Sequence, residues 1–136
     1  MADVQRISPE ETKSLLDEGY TYVDVRTEAE FDAGHVPGAY NVPVSRQSQP
    51  NADFLRVMST HFDKDRKLVI GCQTGSRSMR AAKILVDAGY TDVRELRTGF
   101  AGSRDAFGRP DPGWSKKGFP TESGSPPGRC YADLAK

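Results

Sequence analysis

Cysteine is scarce in this chain of 136 residues, which contains only Cys72 and Cys130. Two widely separated cysteines are too few for a disulfide scaffold, and they lack the paired spacing of a zinc site. Their scarcity favours a reducing compartment, so we expect a cytoplasmic protein with no metal site and no resident cofactor.

Net charge is absent as well, because 19 Lys and Arg residues balance 19 Asp and Glu residues. Proteins that bind nucleic acids or anionic membranes typically carry an excess of positive charge. Long apolar runs are also missing: the longest, such as residues 68–70, are far too short to cross a bilayer. The N-terminus shows no charged region followed by an apolar one, as a secretory signal peptide would. We therefore expect neither nucleic acid nor a membrane as a partner.

The patterns that are present alternate between helix and strand. Ser8 and Glu11 have the spacing of a capping box, which predicts a helix that begins at Pro9. Further helices are predicted over residues 28–33, 53–62, 78–88 and 100–106, and strands over residues 20–25, 39–42, 67–71 and 92–96. This alternation predicts one α/β domain built around a mostly parallel sheet.

Proline and glycine become frequent after Phe107. This composition predicts a segment that wraps the domain and forms no second core of its own. We expect the domain to occupy residues 1–122 and a flexible C-terminal tail to occupy residues 123–136.

The chemistry concentrates in residues 68–79, where an apolar strand leads into a polar loop and then a helix. This order puts Cys72 at the carboxyl end of a strand, where open α/β sheets keep their sites, and just before a helix N-terminus, which favours anions. Gly75 allows the loop to curl, and Arg77 adds positive charge at its rim. The pattern indicates a reactive thiolate; the alternative is a small buried side chain at a strand end.

The spacing between Cys72 and Arg77 separates two kinds of cysteine chemistry. Four residues lie between them: Gln73, Thr74, Gly75 and Ser76. Phosphatases of the cysteine class have five residues at this place, because a phosphate needs a wider ring of N–H groups than a single sulfur atom does. The tighter ring favours binding of a terminal sulfane sulfur.

Three stretches of the chain resemble the rhodanese family, and they occur in the family's order. The first spans residues 23–43, with Val-Asp-Val-Arg near its start and Gly-His-Val-Pro-Gly-Ala after it; the second is residues 71–78, Gly-Cys-Gln-Thr-Gly-Ser-Arg-Ser; the third is residues 89–100. The resemblance extends from about Arg6 to Glu122. It implies a five-stranded, mostly parallel sheet flanked by helices.

The resemblance also implies a sulfurtransferase that works in two half-reactions. Cys72 would take the outer sulfur of a small donor such as thiosulfate, and the loop from Gln73 to Arg77 would bind the resulting persulfide. A thiol or cyanide would then accept the sulfur. Two alternatives stay open: a non-enzymatic rhodanese-like regulatory module, and a phosphatase or arsenate reductase on the same fold.

One segment departs from the family pattern. The usual Gly-Gly followed by a nearby tryptophan is replaced by Thr98-Gly99-Phe100, and the only tryptophan, Trp114, comes later. Residues 101–112 therefore resemble an insertion, which leaves donor and acceptor specificity open.

Asp24 and Arg26 follow the first predicted strand, and we expect them to form a structural ion pair. Cys130 lies outside the region of resemblance, after Pro126, Pro127 and Gly128. It is either a thiol without a role or, on a mobile arm, a second thiol that attacks the Cys72 persulfide.

Overall fold

The computed structural model describes residues 4–136. Its strands are β1 (Gln5–Ile7), β2 (Thr21–Asp24), β3 (Tyr40–Asn41), β4 (Ser45–Arg46), β5 (Gln49–Pro50), β6 (Leu68–Gly71), β7 (Val93–Leu96), β8 (Gly102–Arg104) and β9 (Pro110–Pro112). Its helices are α1 (Pro9–Asp17), α2 (Glu28–Ala33), α3 (Phe54–His61), α4 (Ser76–Asp87) and α5 (Tyr131–Leu134), with a short 3-10 helix over Trp114–Lys117.

Five strands form one parallel sheet in the order β1-β7-β6-β2-β3. Helices flank it, so the predicted fold class is confirmed. The central strand β6 is completely buried, and its side chains pack on both faces of the sheet. Leu68 and Ile70 belong to the hydrophobic cluster on one face, and Val69 belongs to the cluster on the other. This alternation follows from the two-residue period of a strand. An apolar run without polar interruptions is therefore what a strand covered on both faces requires.

Side-chain caps fix the beginnings of the first two helices. Ser8 and Glu11 form the predicted capping box at α1. Thr27 and Glu30 form a second one at α2, which the sequence analysis does not predict. Each box satisfies N–H groups that have no partner inside the helix. The carboxylate of Glu30 also reaches the candidate site, as described below.

The structure differs from the predicted local structure in three places. Residues 100–106 form no helix; β8 pairs instead with β9 in an antiparallel hairpin. Gly102 and Gly108 adopt positive φ angles of 124° and 77°, which a helix does not accommodate. Strand β1 escapes prediction because only Ile7 in it is buried. Residues 45–50, for which the sequence analysis predicts neither helix nor strand, form the small β4–β5 hairpin.

The C-terminal segment is packed onto the domain. Tyr131 and Leu134 are buried in the same cluster as Leu68 and Ile70, and the Tyr131 hydroxyl accepts a 2.9 Å hydrogen bond from Asn51 Nδ2. The segment treated above as a tail is therefore part of the packed structure, because its two apolar side chains cover one face of the core. Its flexibility in solution stays a prediction.

No helix within residues 4–136 combines the length and the apolar character that crossing a membrane requires.

Candidate active site

Cys72 directly follows β6 at the carboxyl edge of the sheet, and its side chain is almost completely buried, with 1% exposure. The Gly75 N–H group donates a hydrogen bond of 3.1 Å to Cys72 Sγ. Helix α4 begins one residue later, so the sulfur also faces the positive end of a twelve-residue helix. The structure thus brings Cys72, its loop and a helix N-terminus together as the sequence predicts.

The shape of the loop depends on Gly75. This residue is the N-cap of α4, with a left-handed φ of 100°, and a Cβ atom on it would collide with the Arg97 carbonyl oxygen. The segment after β7 holds the loop from outside, because the Phe100 and Ala101 N–H groups donate to the Cys72 and Gln73 carbonyl oxygens at 2.8 and 3.0 Å. The direction of the Gly75 N–H group is therefore set by backbone contacts.

We expect Gly75→Ala to destabilise the protein by more than about 1 kcal/mol, because alanine tolerates a positive φ poorly and its methyl group would displace the loop. Urea unfolding would measure the loss. Gly19→Ala is the matched control, since Gly19 has a φ of 103° with no heavy atom near its Cβ position. The two variants share the conformational strain, so equal losses would show that the contact with Arg97 contributes nothing.

Asp24 and Arg26 form a buried ion pair that reaches the loop. Arg26 donates to both carboxylate oxygens, with Nη2 at 2.7 Å from Oδ2 and Nε at 3.0 Å from Oδ1. Its remaining donors bind Gln73 Oε1 at 2.9 Å and the Gly34 carbonyl oxygen at 2.6 Å. The expected ion pair is present, and it anchors the Gln73 side chain from the β2 side.

Arg77 does not point freely into the site. Its two terminal nitrogens bind the two Glu30 carboxylate oxygens at 2.7 and 2.9 Å. These hydrogen bonds from Arg77 lower the pKa of Glu30 from its ordinary value of 4.5 to about 2. The sequence analysis predicts neither the capping role of Glu30 nor its contact with Arg77. Contact between Arg77 and a bound anion stays a prediction.

Because the folded protein lowers the pKa of Glu30, the ion pair stabilises the fold above about pH 4.5 and is lost as the pH falls towards 2. We expect Glu30→Gln to unfold with a shallower pH dependence over that interval than the unaltered protein. Thermal unfolding at a series of acidic pH values measures this slope. Glu10→Gln is the comparison: the hydrogen bond from Lys117 also lowers the pKa of Glu10, but this pair is exposed, so we expect a smaller change of slope. Identical slopes for Glu30→Gln and the unaltered protein would contradict the assignment.

Thr74 and Ser76 lie on the outer side of the loop. Thr74 borders a cavity of about 650 Å³ whose other walls come largely from the β8–β9 hairpin. Ser76 and Thr74 also line a second cavity of about 530 Å³, together with Arg6, Arg97 and Arg104. The segment that resembles an insertion therefore forms a wall beside the loop.

Three residues that the sequence analysis missed complete the surroundings of the sulfur. Ser78 Oγ lies 3.3 Å from Cys72 Sγ, and the Ser78 hydroxyl donates to Glu95 Oε2. Glu95 is fully buried, and its Oε1 accepts a 2.6 Å hydrogen bond from Arg6 Nε. The available signal was the position of Glu95 in β7: it lies two residues after Val93, so its carboxylate shares a strand face with a buried apolar side chain.

Cys130 is the N-cap residue of α5. Its neighbour Arg129 holds the segment against β3, since the Asn41 N–H group donates to the Arg129 carbonyl oxygen at 2.9 Å. Strand β2 separates β3 from the strand that carries Cys72. Both cysteines are free thiols, and an attack by Cys130 on a Cys72 persulfide stays a prediction.

The fold and the loop together define an α/β protein with a cysteine held at the carboxyl edge of a parallel sheet. The rhodanese-like domain family matches residues 8–106, and the chain belongs to this family.

Two curated plant relatives illustrate the range of similar proteins. Thiosulfate sulfurtransferase 16, chloroplastic, of Arabidopsis thaliana is 37% identical over 113 residues, which cover 80% of this chain and 85% of the relative. Senescence-associated protein DIN1 of Raphanus sativus is 40% identical over 92 residues, which cover 65% of this chain. The chain spans only half the length of DIN1, so some relatives contain more than this domain.

Solved structures show the same fold. The crystal structure of Rv0390 from M. tuberculosis matches with a TM-score of 0.77 at 26% identity, covering 90% of this chain and all of that one. The human single-domain sulfurtransferase TSTD1 matches with a TM-score of 0.58 at 31% identity, covering 72% of this chain and 93% of that one.

Proposed function

We propose that this protein is a sulfurtransferase that moves sulfane sulfur from a small anionic donor, such as thiosulfate, to a thiol or to cyanide. The sulfur would travel as a persulfide on Cys72. The observation that carries the proposal is the hydrogen bond from the Gly75 N–H group to Cys72 Sγ at the N-terminus of α4. Relatives named thiosulfate sulfurtransferase support the same class of reaction.

The first half-reaction transfers sulfur to the enzyme. The Cys72 thiolate attacks the outer sulfur of thiosulfate, so a new S–S bond forms at Cys72 while the S–S bond of the donor breaks. Sulfite leaves with the electron pair of that bond. The product is a Cys72 persulfide anion, whose charge the Gly75 N–H group and the helix N-terminus stabilise.

The second half-reaction regenerates the Cys72 thiolate. A cyanide ion or a thiolate attacks the terminal sulfur, and the Cys72 thiolate leaves with the electron pair of the broken S–S bond. Thiocyanate or an acceptor persulfide is the product. A covalent intermediate is useful because it replaces one difficult transfer by two easier displacements. We also propose that the protein acts in a reducing compartment such as the cytoplasm, because thiol acceptors are abundant there.

Intact-mass spectrometry of the full chain after thiosulfate treatment tests the proposal directly. We expect the mass of one added sulfur atom, which cyanide removes in equal amount with release of thiocyanate. Cys130→Ser protein should gain the same mass, whereas Cys72→Ser protein should gain none.

The same experiment separates the alternatives. A non-enzymatic rhodanese-like module would gain no sulfur, and a phosphatase or arsenate reductase would instead act on a phosphate ester or on arsenate. Absence of any added sulfur on folded protein, or sulfur carried only by Cys130, would contradict the proposed function.

A further inference from the structure

The Glu95 carboxylate is a fully buried charge that the transfer steps above do not use. It lies on β7 directly opposite Arg6 of β1 in the parallel register, and Arg6 Nε binds one of its oxygens at 2.6 Å. The Ser78 hydroxyl donates to the other oxygen. Ser78 itself is buried and contacts the reactive sulfur, with its Oγ atom 3.3 Å from Cys72 Sγ. One serine therefore connects a buried carboxylate to the nucleophile.

The hydrogen-bonded series Cys72, Ser78 and Glu95 has a limited number of protons, and this number determines which group donates to which. The Ser78 hydroxyl has one proton, which it donates to Glu95, so towards Cys72 its oxygen can only accept. The contact between sulfur and oxygen is then an S–H···O hydrogen bond donated by the Cys72 thiol. If Cys72 were a thiolate beside an ionised Glu95, the two anions would compete for a single proton. A thiolate is fully hydrogen-bonded here only when Glu95 carries a proton.

We propose that Ser78 and Glu95 form a proton relay that activates Cys72, a proposal that rests on the sulfur transfer described above. The S–H bond of Cys72 breaks as its proton moves to Ser78 Oγ, and the original Ser78 O–H proton moves to Glu95 Oε2. The products are a Cys72 thiolate, a Ser78 hydroxyl that now donates to the sulfur, and a neutral Glu95 carboxyl. No electrons leave the system, and no further reactant is needed.

Burial explains why an internal proton acceptor is useful at this place. Cys72 is 1% exposed, so bulk water has little access to its proton. Arg6 keeps the relay in register with the loop, because the same guanidinium that binds Glu95 donates through Nη2 to the Gly75 carbonyl oxygen at 3.2 Å. In the second half-reaction the relay runs in reverse, and Glu95 returns the proton to the departing Cys72 thiolate. Ser78 touches the reacting sulfur, while Glu95 is a positioning residue that acts through it.

Other charged or titratable groups also surround the sulfur and the carboxylate. They are Arg6 of β1, Tyr22 and Asp24 of β2, Arg26 just after β2, and Arg77 of α4. Arg26 is bound by Asp24, and Arg77 is bound by Glu30. Ser78 is the bridge between Cys72 and Glu95 among the hydrogen bonds of the described residues.

The relay can be tested through the pH dependence of Cys72 alkylation by iodoacetamide in full-length Cys130→Ser protein, which has one cysteine. Only the thiolate reacts. Two groups that share a proton titrate in two steps, so we expect the rate to rise, stay level and rise again as the pH increases. In Glu95→Gln and Ser78→Ala proteins we expect a single rise. At the acid end of the level region both variants should react at least about tenfold more slowly than the parent.

Two features keep this test interpretable. Ser78→Ala leaves the Arg6–Glu95 ion pair in place, so it reports on the relay even if Glu95→Gln does not fold. Thr98→Val is the matched control, because the Thr98 hydroxyl is buried and makes no hydrogen bond to any described residue. Its profile should match that of the parent.

A single rise in the parent protein, or two rises that persist in a folded Ser78→Ala or Glu95→Gln variant, would overturn the relay. The result is independent of sulfur transfer, because alkylation needs no donor. Two rises in a parent protein that gains no sulfur from thiosulfate would leave the relay standing and contradict the proposed function.

Discussion

Cys72→Ser protein is expected to lose thiosulfate:cyanide sulfur transfer almost completely, by about 10⁴-fold or more. A serine hydroxyl is not ionised near neutral pH, and it can neither attack a sulfane sulfur efficiently nor carry it as a persulfide. The substitution exchanges sulfur for a smaller oxygen at a buried position with a hydrogen-bond donor, Gly75 N–H, at hand. The fold should therefore survive, and thiocyanate release under steady-state conditions measures the loss.

Cys130→Ser is the matched control, since the same exchange of sulfur for oxygen is made at a partly buried thiol, the N-cap residue of α5. Its activity should stay within about twofold of the parent, as for a surface substitution without contacts to the site. Substantial transfer by a folded Cys72→Ser protein would defeat the assignment of the nucleophile. Equal losses in the two variants would instead give Cys130 a part in turnover.

Arg26→Met is expected to lower the free energy of unfolding by about 3–5 kcal/mol, because it leaves the Asp24 carboxylate buried without its counter-charge. Asp24 is 1% exposed and Arg26 is 3% exposed, so water cannot replace the missing guanidinium. The variant also releases the Gln73 side chain and the Gly34 carbonyl oxygen. Denaturant unfolding followed by circular dichroism measures the change.

Lys13→Met provides the comparison, because Lys13 forms an exposed ion pair with Asp17 on α1. Its loss should stay below about 0.5 kcal/mol. The double variant Asp24→Asn/Arg26→Met removes both buried charges and should be less destabilised than the two single losses added together. Additive losses would mean that the two side chains stabilise the fold independently, against the buried pair described above.

The sequence predicts well wherever one segment carries its own signal. The apolar run of β6, the capping box of α1 and the loop from Cys72 to Arg77 all depend on neighbours in the chain, and the structure contains each of them. The sequence predicts poorly where a residue contacts a partner that is distant in the chain. Arg6 meets Glu95 only through the register of β1 with β7, and nothing in residues 5–7 indicates a strand.

The β8–β9 hairpin illustrates a second reason for failure. Residues 100–106 contain a short mixture of apolar and polar side chains that fits a helix start as well as a turn. The antiparallel pairing is settled by β9, which begins only at Pro110. Its position beside Thr74 follows from tertiary packing. The wall that the hairpin forms could therefore not be predicted from local pattern alone.

The packing of residues beyond the family match has a practical consequence for anyone who excises this domain. The family match ends at residue 106, yet Trp114 lies in one hydrophobic cluster and Tyr131 and Leu134 in the other. A fragment trimmed to the matched residues would expose both apolar surfaces, which favours aggregation, and would also lack Arg6. We therefore expect a fragment with boundaries taken from the family match to aggregate, whereas in residues 4–136 both surfaces are covered.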